Sequence, residues 1–306
     1  MDRDLLTHLP VVLAVARRQG FAAAASELGM SPSAVSHAVQ VVERRLGTPL
    51  FARTTRSVAL TEAGEALMGT VGRALGEIED GLERIQAAKG KVSGLLRLNV
   101  PRLAQALVMT PVLAALGQRH PDLRVESFGS DALVDIVAEG FDAGIRLGEM
   151  IAEDMVTVRL TPPFRAILIA APDYVARHGK PRSLDDLAAH NCIAYRLIQG
   201  RGLYRWDLLA ADGRAVSIDT PGAVIVNDPL YARDLALAGI GIAYLFEPLA
   251  RDDIAAGRLV QLLPKSAIEE PGLFLYFPKG AATAPKLRAF IDTARDVMTG
   301  KRGPRG

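Results

Sequence analysis

The chain is poor in the residue types on which most enzyme chemistry depends. Among 306 residues there is one cysteine, Cys192, which excludes an internal disulfide framework and any cysteine-cluster metal site. It stands beside Ile193 in a strand-like apolar run, the setting of a buried structural thiol. The five histidines, His8, His37, His120, His178 and His190, are scattered and lack the HExxH spacing of a zinc site. No GxSxG elbow is present to expose a nucleophilic serine. Gly239-Ile240-Gly241-Ile242-Ala243 superficially matches a dinucleotide loop. It follows a helical segment and coincides with a strand, however, so Gly239 reads as a helix cap. We therefore expect no enzyme activity, no catalytic residues, no metal and no cofactor. Long apolar runs are missing too, and the run at 166–171 is only the size of a buried strand. The opening MDRDLLTHLP has no apolar core of signal-peptide type, so a soluble cytoplasmic protein without membrane association is expected. Net charge is only +2, so any large charged partner must be met by a local patch.

Such a patch lies near the N-terminus. Residues 22–28 are strong helix formers, and Gly29 follows as a left-handed cap. Ser31 is a good N-cap, and Pro32 suits the first helical position, where no backbone N–H is needed. From there Val35, Val39, Val42 and Leu46 recur at three- and four-residue steps and predict a buried stripe. The opposite face carries Ser33, Ser36, His37, Gln40 and Arg44. A helix that buries one side and offers hydrogen-bonding groups at its start suits a DNA major groove. Arg53-Thr54-Thr55-Arg56 then stands between Leu50-Phe51 and the strand-like Val58-Ala59-Leu60, a wing whose arginines suit phosphates or a narrow minor groove. Up to residue 60 the cations Arg3, Arg17, Arg18, Arg44, Arg45, Arg53 and Arg56 face only Asp2, Asp4, Glu27 and Glu43. The segment is basic although the whole chain is nearly neutral.

Thr61 caps the next helix, and Glu62 and Glu65 favour its positive start. Leu67, Val71, Leu75, Ile78, Leu82 and Ile85 then step by fours and threes in a heptad-like seam over roughly 40 Å of helix. We read the seam as a dimerisation surface, with packing on its own domain as the alternative. Lys89-Gly90-Lys91-Val92-Ser93-Gly94 reads as a hinge.

The pattern A-A-x-x-L-G-M-S-P-S-A-V-S-H-A-V-x-x-V-E-x-R-L-G-x-P-L-F-x-R-T-T-R-x-x-x-L-T-E-A-G resembles the DNA-binding domain of LysR-type transcriptional regulators. It spans about forty-five residues without a break. Many members carry glutamine, proline and arginine where this chain has Pro32, Ser33 and His37, so the resemblance carries no base preference. It does imply a dimer on an interrupted-palindromic double-stranded DNA operator, a homotetramer built as a dimer of dimers, and contact with RNA polymerase.

Beyond the hinge, short apolar strands alternate with helical segments. Strands are predicted at 95–100, 123–128, 143–147, 166–171, 192–195, 223–226, 240–244 and 273–276, with helices at 102–120 and 132–140. Crossover helices imply mostly parallel sheets, and two sheets fit the length better than one. G-S-D-A-L-V-D-I-V-A-E-G-F-D-A-G-I-R-L-G and A-P-D-Y-V-A-R-H-G resemble the LysR effector module, which is similar to periplasmic solute-binding proteins. So do D-L-A-A-H-N-C-I-A-Y-R, V-N-D and A-G-I-G-I-A-Y-L. The fold expected is an α+β multidomain chain. A winged helix-turn-helix occupies 1–61 and a linker helix 62–89. A two-lobed α/β effector domain follows at 90–306, with lobe I about 92–161 and 267–300 and lobe II about 162–266. The return crossing is expected near 260–263, and Pro285–Met298 should close the first lobe.

In open α/β sheets ligands bind beyond the carboxyl ends of the strands, beside helix N-termini. Those ends bring forward Pro101, Arg102, Leu103, Ser130, Asp131, Arg146, Gly148, Tyr195, Asn227 and Asp228, with Tyr204 or Trp206 lining one wall. The arginines suggest a small, anionic or strongly polar effector. Competing structural readings pair Arg146 with Asp135 or Asp142, place Trp206 in a core, and leave Arg102 on the surface. The function expected is an effector-controlled, sequence-specific transcription regulator. The alternative is a cytoplasmic solute-binding module whose helix-turn-helix serves assembly only.

Overall fold

A computed structural model describes residues 3–53, 58–87, 91–148, 151, 155–196, 202–220 and 222–299. The N-terminal unit packs α1 (Arg3–Arg18), α2 (Phe21–Leu28) and α3 (Pro32–Leu46) against a hairpin of β1 (Phe51–Arg53) and β2 (Val58–Leu60). Helix α4 (Glu62–Ala87) leaves from it. The caps form as the sequence requires. Gly29 and Gly47 hold φ of 63° and 65° and return their N–H groups to the Ala25 and Glu43 carbonyls. Val12, Val15, Ala24, Val35, Val39 and Val42 are fully buried together. Leu46 departs from expectation. It is the last helical residue and is exposed, while Ala38 takes a place in the buried stripe.

Two contacts fix where α4 begins. Thr61 accepts from the Gly64 N–H and donates to the Pro49 carbonyl. A Cβ on Gly64 would stand 2.2 Å from the Leu50 carbonyl oxygen, so this helix start tolerates only glycine. The seam of α4 is divided. Val71 is buried in the N-terminal core, with Leu67 and Leu75 packed against it, so these three cover their own domain. Ile78, Leu82 and Ile85, at 59%, 60% and 62% exposure, remain uncovered.

Lobe I is a five-stranded sheet in the order β4 (Leu123–Gly129), β3 (Gly94–Val100), β5 (Ala143–Leu147), β16 (Leu273–Phe277), β6 (Val156–Arg159). Helices α6 (Thr110–Arg119) and α10 (Pro285–Met298) pack their apolar faces on one side of it. Lobe II centres on β7 (Phe164–Ala170), β8 (Cys192–Arg196) and β13 (Ile242–Phe246). The short β12 (Ile225–Val226) and β14 (Val260–Leu262) flank them. β15 (Ile268–Glu270) also pairs with β7, and β9 (Leu203–Tyr204) with β8. β10 (Trp206–Leu209) and β11 (Ala215–Ile218) form a separate hairpin. Helices α7 (Pro172–His178), α8 (Pro229–Leu237) and α9 (Glu247–Ala255) complete the lobe.

Both sheets are mixed. β3 runs parallel to β4 and β5, whereas β16 is antiparallel to β5 and β6, because the chain returns from lobe II in the opposite sense. The predicted helix at 102–120 is interrupted. α5 (Arg102–Ala104) passes into one π-helical turn, Gln105–Met109, before α6. The predicted helix at 132–140 is a run of turns. Asp135 Oδ1 takes the Val137 and Ala138 N–H groups, Gly140 adopts φ +70°, and arginines on the sheet bind the Ala132 and Gly140 carbonyls. The return crossing lies at 271–272, not 260–263. β14 and β15 both still pair with β7, so the chain leaves lobe II only after Glu270. There the two crossing segments join: the Leu160 N–H donates to the Leu273 carbonyl, and the Leu273 N–H to Thr161 Oγ1. A Cβ on Gly272 would meet the Pro162 and Thr161 carbonyl oxygens at 2.7 and 2.8 Å, and its φ is +91°. The crossing is close-fitting because that residue has no side chain.

Candidate nucleic-acid interface and effector cleft

The first site is the outer face of α3. Ser31 Oγ accepts the Ala34 N–H at 3.2 Å, which leaves the helix start satisfied and Ser31 itself acting as a cap. Pro32 and Ser33 are exposed beside it, and Ser33 Oγ lies 3.0 Å from Ser31 Oγ. His37 and Gln40 are exposed and make no side-chain hydrogen bond among the described residues; Ser36 is half-buried. Arg44 folds back, its Nε donating to the Gln40 carbonyl at 3.2 Å. The face therefore offers donors and acceptors with little internal claim on them. Glu43, which sequence reading treated only as charge, has a structural task. Its Oε1 accepts the Leu50 and Phe51 N–H groups at 2.8 and 3.3 Å, joining α3 to the wing. The Arg53 backbone ends β1; its side chain, and Thr54, Thr55 and Arg56, lie outside the described residues.

The second site lies where the lobes meet. Arg102 opens α5 in lobe I, and its backbone N–H and Nη1 both donate to Asp131, at 2.9 Å each. The same Nη1 reaches across to the Asn227 carbonyl of lobe II at 2.8 Å, and Nε stands 3.5 Å from Asp228 Oδ2. Tyr195 of β8 completes the bridge. Its hydroxyl lies 3.3 Å from Asp131 Oδ2 and 3.1 Å from the Asn227 carbonyl, and burial beside Asp131 raises its pKa. Asp228 caps α8 by accepting the Leu230 and Tyr231 N–H groups. One guanidinium and two carboxylates thus join the lobes through side chains that solvent still reaches.

Of the other predicted cleft residues, Trp206, Tyr204 and Leu103 pack in or against cores, and Pro101, Ser130 and Gly148 make local contacts. Trp206 is buried in the lobe II core, stacked on Tyr244 at 5.8 Å, because alternation along β10 turns it inward. Tyr204 packs against the same core and gives its hydroxyl to Asp207 at 2.6 Å. Leu103 is buried in the main core, and the Pro101 carbonyl serves the first turn of α5. Ser130 Oγ accepts the Ala132 N–H, and Gly148 lies under the Phe274 ring. Arg146 is 2% exposed, beneath residues 131–142. It pairs with neither expected carboxylate. Asp142 is held by Lys286 at 3.0 Å and by the Arg97 N–H, and Asp135 caps its own turn. The network across the cleft, and the separation of Arg146 from it, depend on pairings that one-dimensional spacing does not show.

Residues 6–65 match the model of the bacterial regulatory helix-turn-helix proteins of the LysR family, and residues 89–299 match the LysR substrate-binding domain. The chain belongs to the LysR family of transcriptional regulators. A transcriptional regulator of Pseudomonas aeruginosa is 40% identical to this LysR regulator over 295 residues, 96% of each chain. The HTH-type transcriptional regulator PgrR of Escherichia coli K12 is 32% identical over 292 residues, 95% of this chain and 97% of the relative. The solved structure of CrgA, a LysR-type transcriptional regulator from Neisseria meningitidis, superposes with a TM-score of 0.61 at 28% identity. That match covers 95% of this chain and 98% of CrgA. Full-length AphB of Vibrio cholerae shares the fold, with a TM-score of 0.63 at 21% identity over 95% and 98% of the two chains. This LysR regulator is a DNA-binding protein with an effector-binding domain, and it is not an enzyme. Among the described residues no helix is long and apolar enough to cross a membrane.

Proposed function

We propose that this LysR regulator reads an interrupted-palindromic operator through Ser33, Ser36, His37 and Gln40 of α3. In this reading Ser31 and Pro32 set the helix start, Arg44 is held ready for phosphate, and Arg53, Thr54, Thr55 and Arg56 of the wing approach the backbone or minor groove. Ile78, Leu82 and Ile85 pair two chains, and two pairs make the tetramer. The protein acts in the cytoplasm, where bound operator brings it to RNA polymerase. The observation that supports this reading most is the exposed, hydrogen-bonding face of α3 above a fully buried valine stripe.

Control belongs to the cleft of Arg102, Asp131, Tyr195, Asn227 and Asp228. A purely anionic effector fits this geometry poorly, since Arg102 already serves two carboxylates. We favour a small polar effector with an acceptor for Arg102 and a donor for Asp131 or Asp228, as in an amino or hydroxy acid. Such a ligand replaces the lobe-to-lobe contacts one for one. It shifts the balance of lobe arrangements only through its different affinity for them.

Gel-shift titration of the full chain against its own upstream DNA tests the DNA half. His37→Ala or Gln40→Ala should relax base preference by about 1–3 kcal/mol per lost contact, with random duplex binding unchanged. Arg53→Ala should weaken both duplexes and lower the salt slope by about one. Unchanged base preference in both α3 variants would show that another face does the reading.

A further inference from the structure

Two of the lobe I arginines facing the 131–142 segment, Arg102 and Arg146, are compensated in opposite ways. Arg102 meets carboxylates. Arg146, almost wholly buried, meets only neutral oxygens: Nη1 donates to the Ile145 carbonyl at 2.6 Å, and Nη2 to Asn99 Oδ1 and the Ala132 carbonyl. Among the described residues it has no ion pair, and Asp131, a carboxylate close enough to influence it, is engaged by Arg102. Burial pulls the Arg146 pKa below the ordinary guanidinium value. A guanidinium has five N–H donors, and Arg146 Nε is buried without an acceptor. Asn99 Nδ2, fully buried beside it, is likewise without a partner. An orphaned donor in a protein interior costs free energy, and an uncompensated charge costs more.

These groups converge by sheet register. Asn99 of β3 and Tyr276 of β16 are both Cα partners of Gly144 on β5, and Arg146 follows two residues along the same face. Gly144 leaves the space open for the tyrosine: a Cβ there would fall 2.6 Å from the Tyr276 hydroxyl oxygen. That hydroxyl makes no hydrogen bond among the described residues, and the Ala132–Asp142 turns roof the group through contacts to Arg146 and Arg97. Three unpaired donors, one of them on the guanidinium itself, are therefore carried by neighbouring residues on this part of the sheet, with no carboxylate paired to them among the described residues.

We propose that lobe I contains a second ligand site, separate from the interlobe cleft, in which Arg146 Nε, Asn99 Nδ2 and Tyr276 Oη bind a compact anion: a halide or one oxygen of a small carboxylate. An anion supplies both missing features, an acceptor for the donors and a countercharge for the guanidinium. A water molecule supplies only the first. The site does not depend on the identity of the cleft ligand, since neither Arg102 nor Asn227 takes part in it.

Thermal unfolding of the full chain at fixed ionic strength, with sulfate replaced stepwise by bromide or acetate, provides the test. Wild-type protein should gain about 2–4 °C in the effector-domain transition as the anion saturates. Asn99→Asp places a carboxylate beside Arg146, so this variant should melt higher than wild type in sulfate and lose its response to bromide and acetate. Tyr276→Phe should keep a reduced response. Tyr195→Phe, which removes a cleft hydroxyl but leaves Arg102 on Asp131, should keep the full response, which separates this site from the cleft. Bromide anomalous density beside Arg146 in crystals of the full chain would support the assignment directly. A wild-type response that is absent, that persists undiminished in Asn99→Asp, or that disappears in Tyr195→Phe would overturn it.

Discussion

The α3 face and the interlobe cleft solve opposite problems with similar side chains. On α3, the His37 and Gln40 side chains stand exposed and make no hydrogen bond among the described residues, while the opposite side is locked by valines. In the cleft, Arg102, Asp131 and Tyr195 are already engaged with one another or with the Asn227 carbonyl across the gap. A surface that meets a rigid duplex gains by presenting unclaimed groups at fixed positions. A cleft that must change state gains by holding internal contacts that a ligand can replace at modest cost, since partly exposed ion pairs contribute on the order of 1 kcal/mol or less. The DNA face is therefore pre-formed, and the cleft is poised.

Four substitutions or treatments would sharpen or break that contrast, and they differ in expected size. Gly64→Ala should have the largest effect, because its Cβ would collide with the Leu50 carbonyl oxygen. We expect at least about 2 kcal/mol of destabilisation in the N-terminal transition and loss of operator binding, with effector-domain melting retained. Circular dichroism melts alongside gel shifts would show the separation. Ile78→Asp with Leu82→Asp comes next. It should leave the fold intact and shift the sedimenting species towards monomer, lowering operator affinity by about 100-fold or more through loss of paired binding. An unchanged oligomer would move the dimer contact off α4. Arg102→Ala should reduce effector response at least tenfold while basal operator affinity stays within about threefold. Retained response would show that the cleft network is structural only. The smallest effect concerns Cys192, whose burial pushes its thiol pKa up to about 12 and keeps it inaccessible. Iodoacetamide at neutral pH should leave it unmodified in the native chain and alkylate it after denaturation.

The contrast also explains what could be read without a structure. The α3 site is local: Ser31, Pro32, the valine steps and Gly47 state the helix, its ends and its outer face within seventeen residues. The cleft is assembled by register between strands far apart in sequence. The ends Arg102, Asp131, Tyr195 and Asn227 were foreseeable from strand polarity, but not that Arg102 would pair with both aspartates. Trp206 was misplaced because a two-residue alternation does not say which side of a hairpin is the core. The 132–140 segment has helical composition, yet Asp135 and the partners Arg97 and Arg146 draw its backbone groups into turns. The α4 seam was legible as a stripe but not as two surfaces, since Val71 alone cannot reveal that the N-terminal core already covers it.

The most direct test of the account is the affinity of the purified full chain for its own upstream DNA against random duplex of equal length. Measured near physiological salt, a preference of about 10³-fold or more, with two chains or four in the bound species, is the expected result. Equal affinity for both duplexes, or a monomer in the complex, would contradict it and leave a solute-binding protein whose helix-turn-helix only joins subunits.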